Sequence, residues 1–165
     1  MLTVVSKSFP PQVGGSSILL TNLLRNYPGP VNAVAGYNRY AKRDPAFVRP
    51  CPTADLWQPR ILSPFYVRLR NTFPDLVRHS LQKSLQRRFK RLGTTAVMAT
   101  YPFPEFLIAS FAAARALGLP FYAHMHDLWV DNIAPGSTMA RFSARWEPVV
   151  LRQATRVCCM TEAMQ

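Results

Sequence analysis

Leu2-Thr3-Val4-Val5 opens the chain as a short apolar, β-branched run, and Ser6-Lys7-Ser8-Phe9-Pro10-Pro11-Gln12-Val13-Gly14-Gly15-Ser16-Ser17 follows it. The run reads as a buried strand. The paired prolines forbid helix in the loop behind it. Ser16 or Ser17 then caps a helix that reaches about Asn26, with Ile18, Leu19, Leu20, Leu23 and Leu24 as its apolar stripe. Pro28-Gly29-Pro30 ends that helix, and Val31–Ala35 reads as a second strand. This first strand–helix–strand unit sets the interpretation of everything downstream.

Residues 37–63 are rich in proline and read as irregular. Within the basic stretch Pro64 to Leu92, Val77, Leu81, Leu85, Phe89 and Leu92 recur at spacings of four and three, which is an amphipathic helix closed by Gly93. Thr94–Thr100 is a third strand, and Pro104 opens an alanine-rich helix that Gly118 ends. Phe121–Met125 is a fourth strand. Met139 to Ala154 is helical by pattern, with Pro148 expected to break, kink or restart it. Arg156–Met160 is a fifth strand, and Thr161 with Glu162 looks like the cap of a further helix. Strand and helix alternate throughout, so the fold class is α/β: a doubly wound parallel sheet, Rossmann-like, of about five strands. Ligands of such sheets gather outside the carboxyl ends of the strands. Three loops lie there, at 6–17, 100–105 and 126–136.

The composition agrees. With 165 residues, 48% of them hydrophobic and 17% charged, the chain is one domain able to close a core without disulfides. Three cysteines without a Cys-x-x-Cys spacing exclude a structural zinc and fit a reducing compartment, with Cys158 and Cys159 packed in a buried strand. The opening apolar run is too short for a signal peptide, and the longest apolar stretch, Phe106 to Leu119, contains Arg115 and falls short of a membrane span. The net charge is +12, and residues 60–92 carry +8 of it. So concentrated a charge predicts an anionic partner.

Three groups of residues carry candidate chemistry. Gly14, Gly15 and Ser16 let the backbone approach a ligand closely at the start of a helix whose free N–H groups suit a phosphate. The same residues also serve a plain strand-to-helix turn. In His124-Met125-His126-Asp127-Leu128-Trp129, alternation puts both histidines on one face near a strand tip. There His126 can donate to a sugar hydroxyl or phosphate and Asp127 can orient it, or the pair can pack and cap a turn. No third ligand of matching type points to a metal. On the basic helix, Lys83, Arg87, Arg88, Lys90 and Arg91 form either a membrane- or anion-binding face or a merely solvated one. Glu147 with Arg145, Arg152 and Arg156 reads as a surface ion pair. No serine–histidine–aspartate triad and no carboxylate pair placed for hydrolysis stands out.

Taken in order, these segments resemble a known family. The opening strand with Phe9-Pro10-Pro11-Gln12-Val13-Gly14-Gly15, the strand Phe121-Tyr122-Ala123-His124-Met125-His126-Asp127-Leu128-Trp129, and Glu147 followed by Leu151-Arg152-Gln153-Ala154-Thr155-Arg156-Val157 are similar to the amino-terminal domain of family 4 glycosyltransferases of the GT-B fold. Thr155 and Thr161 stand where that family often has aspartate and serine. The resemblance implies one half of a GT-B architecture, the acceptor-binding half of a retaining enzyme that uses a nucleotide-sugar donor, no cofactor and no obligatory metal. It implies that Gly14, Gly15 and Ser16 meet the donor diphosphate and that His126 contacts the transferred sugar. Tyr101, Glu105, Asp127 and the 37–70 loop are acceptor-side candidates by position. The expected partners are the donor, a glycan or lipid-linked acceptor of polysaccharide synthesis, an anionic membrane surface, and a carboxy-terminal domain or complementary subunit. The expectation is that this chain is inactive alone and works in the cytoplasm, peripherally at the inner face of the membrane. A non-catalytic basic module for nucleic acid or anionic polymer is the alternative. A dinucleotide-binding oxidoreductase is a weaker one, because Gly-x-Gly-x-x-Gly is missing.

Overall fold

In a computed structural model the described residues are 1–7, 9, 15–36, 53–56, 63–101, 103–126 and 133–159. They begin with β1 (Leu2–Ser6), α1 (Gly15–Arg25) and β2 (Val31–Gly36), the unit the opening residues predict. β3 (Thr53–Leu56) follows, then α2 (Ser63–Thr72) and α3 (Pro74–Arg91). The chain continues through β4 (Ala96–Thr100), α4 (Pro104–Ala116), β5 (Phe121–Met125), α5 (Thr138–Gln153) and β6 (Arg156–Cys159). The strands form one sheet in the order β3-β2-β1-β4-β5-β6, and every neighbouring pair is parallel.

The period-two alternation of the strands divides the core. Val5, Val34, Val97, Ala99 and Ala123 face α3, α4 and α5, where Leu85, Phe89, Phe106, Ile108, Phe111 and Val150 are buried. Val4, Ala33, Ala35 and Met98 face the opposite way, against Leu20 and Leu24 of α1 and Phe9. Helices therefore cover both faces, as a doubly wound sheet requires. On α3 the apolar stripe turns inward: Val77, Leu81, Leu85 and Phe89 are buried. α4 starts on Pro104 and Gly118 follows its last turn with φ +65°.

Five expectations need correction. Residues 37–63 are not irregular throughout, since Thr53–Leu56 pairs with β2 as a sixth strand at one edge. The basic stretch is two helices, because Pro74 disfavours helical backbone at Phe73, which sits at φ −130° and ψ 62°. Ser17 lies inside α1 rather than at its cap, and Ile18 and Leu23 of the predicted apolar stripe are exposed, leaving Ser17, Leu20, Thr21 and Leu24 inward. Pro148 neither ends nor restarts α5. It removes the bond to the Ala144 carbonyl, and Ala144 is exposed, so water can replace it. β6 is a half-open edge strand and not a buried one: Cys158 is exposed and Cys159 only partly covered.

Candidate functional site

Parallel pairing sends the carboxyl ends of β1, β4 and β5 to one edge of the sheet. Lys7 leaves β1 there, Tyr101 and Phe103 leave β4, and His126 leaves β5. α1 starts at Gly15, after the loop that leaves the same end of β1. Only β4 separates β1 from β5, so the two strand tips are about 10 Å apart, two strand spacings.

His124 and His126 lie on one side of β5, as alternation requires, with ring centroids 4.7 Å apart and planes at 86°. His124 shares its face of β5 with half-buried Tyr122, while Phe121, Ala123 and Met125 are buried on the opposite face. Burial holds the His124 imidazole down at about 4, and the neighbouring His126 pushes the same way. At neutral pH His124 is uncharged. Its Nδ1 is buried without a hydrogen-bond partner.

On the other face of the sheet, past the carboxyl end of β4, a cavity of about 530 Å³ opens between α2, α4 and the start of α5. Its polar wall is Arg70, Asn71, Tyr101, Glu105, Ser137 and Thr138. Glu105 sits in the first turn of α4, where a carboxylate suits the helix dipole. Its side chain is completely buried, and Arg70 Nη1 donates to Glu105 Oε1 at 3.1 Å. Arg70 Nε donates to Asn71 Oδ1 at 3.3 Å. Glu105 Oε2 has no partner, and the buried Tyr66 hydroxyl has none either. Burial pushes the Tyr66 phenol upward, and the Glu105 charge adds to that. Lys7 joins the group with its Nζ 3.9 Å above the Phe103 ring. Burial holds its ammonium below the ordinary lysine range, a shift that Glu105 opposes. Ser137 caps α5, accepting from the Ala140 N–H at 3.0 Å.

Of the residues singled out from sequence, the described structure brings Tyr101 and Glu105 together at this cavity, both buried, with the Tyr101 N–H donating to the His124 carbonyl at 3.0 Å. Gly15 and Ser16 form the first residues of α1, and His126 is half-buried at the tip of β5. Gly14 and Asp127 lie outside the described residues. Lys83, Arg87, Lys90 and Arg91 are exposed on α3, and Arg88 is partly covered, donating to Ser84 Oγ at 2.8 Å. Arg145 reaches across to Asp75, 2.6 Å from both carboxylate oxygens, so the predicted grouping around Glu147 is not how this arginine pairs. Tyr66 and Arg70 fall at the end of the 37–70 stretch expected on the acceptor side, though neither stood out within it, and sequence reasoning missed Lys7 and Asn71. Lys7 was findable, since it stands one residue past a strand's carboxyl end. Arg70 was hidden among eight other basic residues of its segment.

Among the described residues no three His, Cys, Asp or Glu side chains gather closely enough to hold a metal ion. Among them, too, no helix is long and apolar enough to cross a membrane.

Comparisons with known proteins bear on the fold and the family. A glycosyltransferase from Rickettsia africae superposes with a TM-score of 0.55 at 11% identity, over 95% of this chain and 36% of that one. MurG of Acinetobacter baumannii superposes at 0.50 with 15% identity, over 99% of this chain and 42% of that one. CobK precorrin-6A reductase follows at 0.46 with 17% identity, over 82% and 41%. The chain thus spans about two fifths of the length of the solved structures it matches. At such identities the likeness to the first two shows a shared fold. No curated protein matches the chain. The family model for the glycosyl transferase 4-like domain matches residues 19–165, nearly the whole length, and the chain belongs to that family.

Proposed function

We propose that this chain is the acceptor-side domain of a retaining, nucleotide-sugar-dependent glycosyltransferase, acting on a glycan or lipid-linked acceptor of polysaccharide synthesis. The observation that carries the reading is the shared edge: the start of α1, His126 and the cavity over Glu105 all lie at the carboxyl ends of β1, β4 and β5. In this reading the amides of Gly14, Gly15 and Ser16 stabilise charge developing on the donor diphosphate. His126 contacts the transferred sugar or its phosphate, and Tyr101, Glu105 and Asp127 serve the acceptor. A donor-binding domain, in the same protein or in a partner, completes the cleft.

The test is transfer of label from UDP-glucose, UDP-N-acetylglucosamine or GDP-mannose to a membrane-lipid or glycan extract by the natural protein that contains this chain. His126→Ala is expected to lower turnover at least about 100-fold, the scale on which a positioned donor acts. Full turnover in His126→Ala sinks the role of that residue. Absence of transfer from every donor sinks the transferase reading. The 165-residue chain alone is expected to transfer nothing.

The reading also puts the domain at the cytoplasmic face of an anionic membrane. What supports this is the exposed row of Lys83, Arg87, Lys90 and Arg91, each worth about 1 kcal/mol beside an anionic surface, together with exposed Phe65, Phe73 and Leu76 on α2, the helix junction and α3. Co-sedimentation with anionic but not neutral vesicles is expected. Equal binding to both counts against it, and a salt-dependent shift of nucleic acid would favour the polymer-binding alternative.

A further inference from the structure

The cavity between α2, α4 and α5 has a volume in the range of small-molecule sites, and its polar groups are mixed in a way that selects among ligands. On one side are donors. Arg70 keeps N–H groups beyond those given to Glu105 and Asn71, and Asn71 keeps its amide hydrogens while its oxygen accepts from Arg70. Ser137 accepts from the Ala140 N–H and Thr138 from the Arg141 guanidinium, so each retains a hydroxyl hydrogen to give. On the other side is an acceptor, Glu105 Oε2, wholly buried at the cavity wall and without a partner. A buried carboxylate oxygen lacking a donor is a costly arrangement, and a ligand that supplies one is favoured by that cost.

Each class of ligand uses this set differently. An anionic group accepts from the donors and is drawn by Arg70 and Lys7, but it has no hydrogen to give Glu105 Oε2, which stays unpaired. An apolar group leaves both kinds unpaired. A hydroxyl both donates and accepts, so a ring bearing adjacent hydroxyls satisfies the two together. Phe103, half-buried on the same wall with Lys7 Nζ over its ring, adds apolar surface for the C–H side of such a ring.

We infer that this cavity is a subsite for an uncharged, hydroxylated sugar ring of the acceptor, one hydroxyl donating to Glu105 Oε2 and its neighbours accepting from Arg70 and Asn71. Arg70, 23% exposed, is the member of the ion pair that solvent reaches, and its guanidinium keeps its bond to Glu105 Oε1 while offering its remaining N–H groups to the ring. The inference rests on the acceptor-side reading of the chain.

The experiment is saturation-transfer NMR on the whole chain with methyl β-glucoside, methyl N-acetyl-β-glucosaminide and methyl β-glucuronide as probes. The two neutral glycosides are expected to receive saturation, and the glucuronide markedly less. Asn71→Ala, at an exposed position, and Arg70→Met are each expected to weaken the neutral signal about fivefold, the loss of one hydrogen bond, with folding checked by circular dichroism. Should Arg70→Met not fold, Asn71→Ala carries the comparison. The inference is overturned if the glucuronide binds as well as the neutral probes, if neither glycoside binds, or if binding ignores Asn71→Ala. None of these outcomes touches the label-transfer assay, so the subsite and the transferase reading fail separately.

Discussion

Replacing Arg70 with methionine tests how much of the site is held by one ion pair. Glu105 is fully buried, and its one described hydrogen-bond donor is Arg70 at 3.1 Å. Removing one member of a buried pair leaves an uncompensated charge and costs about 3–5 kcal/mol. Two features place this pair at the lower end. Arg70 retains 23% of its side-chain exposure, and Lys7 stays within electrostatic reach of Glu105. Arg70→Met is therefore expected to destabilise by about 3 kcal/mol, and at about 2–4 °C per kcal/mol for a domain this long the midpoint falls by about 6–12 °C. Urea and thermal unfolding of the wild type, Arg70→Met, Glu105→Gln and the double variant complete the cycle. The double variant is expected to be more stable than the sum of the singles by about 1–3 kcal/mol, since no bare carboxylate remains. An Arg70→Met protein within about 0.5 kcal/mol of wild type, the range of an ordinary surface change, would refute the reasoning.

Three further outcomes follow from the same structure. His124 is held at about 4, below its unfolded value, so the unfolded chain takes up a proton that the native state refuses. Stability should fall as pH drops from about 6.5 towards 4 by about 1–2 kcal/mol after allowance for solvent, and His124→Phe should flatten that part of a urea-midpoint profile. On α3, Leu85→Ala should cost about 2–5 kcal/mol because Leu85 is wholly buried, whereas Arg87→Glu should change urea stability by less than about 0.5 kcal/mol. Ser137→Ala removes the cap of α5 and should cost about 1 kcal/mol in the same assay.

Much of the fold was legible where an apolar run met a proline or glycine boundary. β1, β2, β4 and β5 are β-branched or alanine-rich runs, and they lie inside the sheet where such runs belong. The edges were harder, because an edge strand needs no apolar run. Thr53–Leu56 contains Asp55 and lies in a proline-rich stretch, so only its pairing with β2 reveals it. β6 has the composition of a buried strand yet has a described neighbour only in β5. The histidine pair was readable from alternation alone. The cavity was not, because it joins α2, α4 and α5 across long separations: Arg70 and Glu105 meet over 35 residues. The role of a single arginine within a basic run depends on which carboxylate the fold brings to it, and no local spacing carries that information.

The strand order also bears on how the chain is made. β1 sits in the middle of the sheet, between β2 and β4, and the backbone joins Met1 to Thr95 across 94 residues. A ribosome adding about 5–20 residues per second needs about 5–20 s to supply that second neighbour. Throughout that interval β1 is a nascent apolar segment with one side unpaired, a ready target for a chaperone. Vectorial synthesis therefore delivers the centre of this sheet well before the strand that covers its second side.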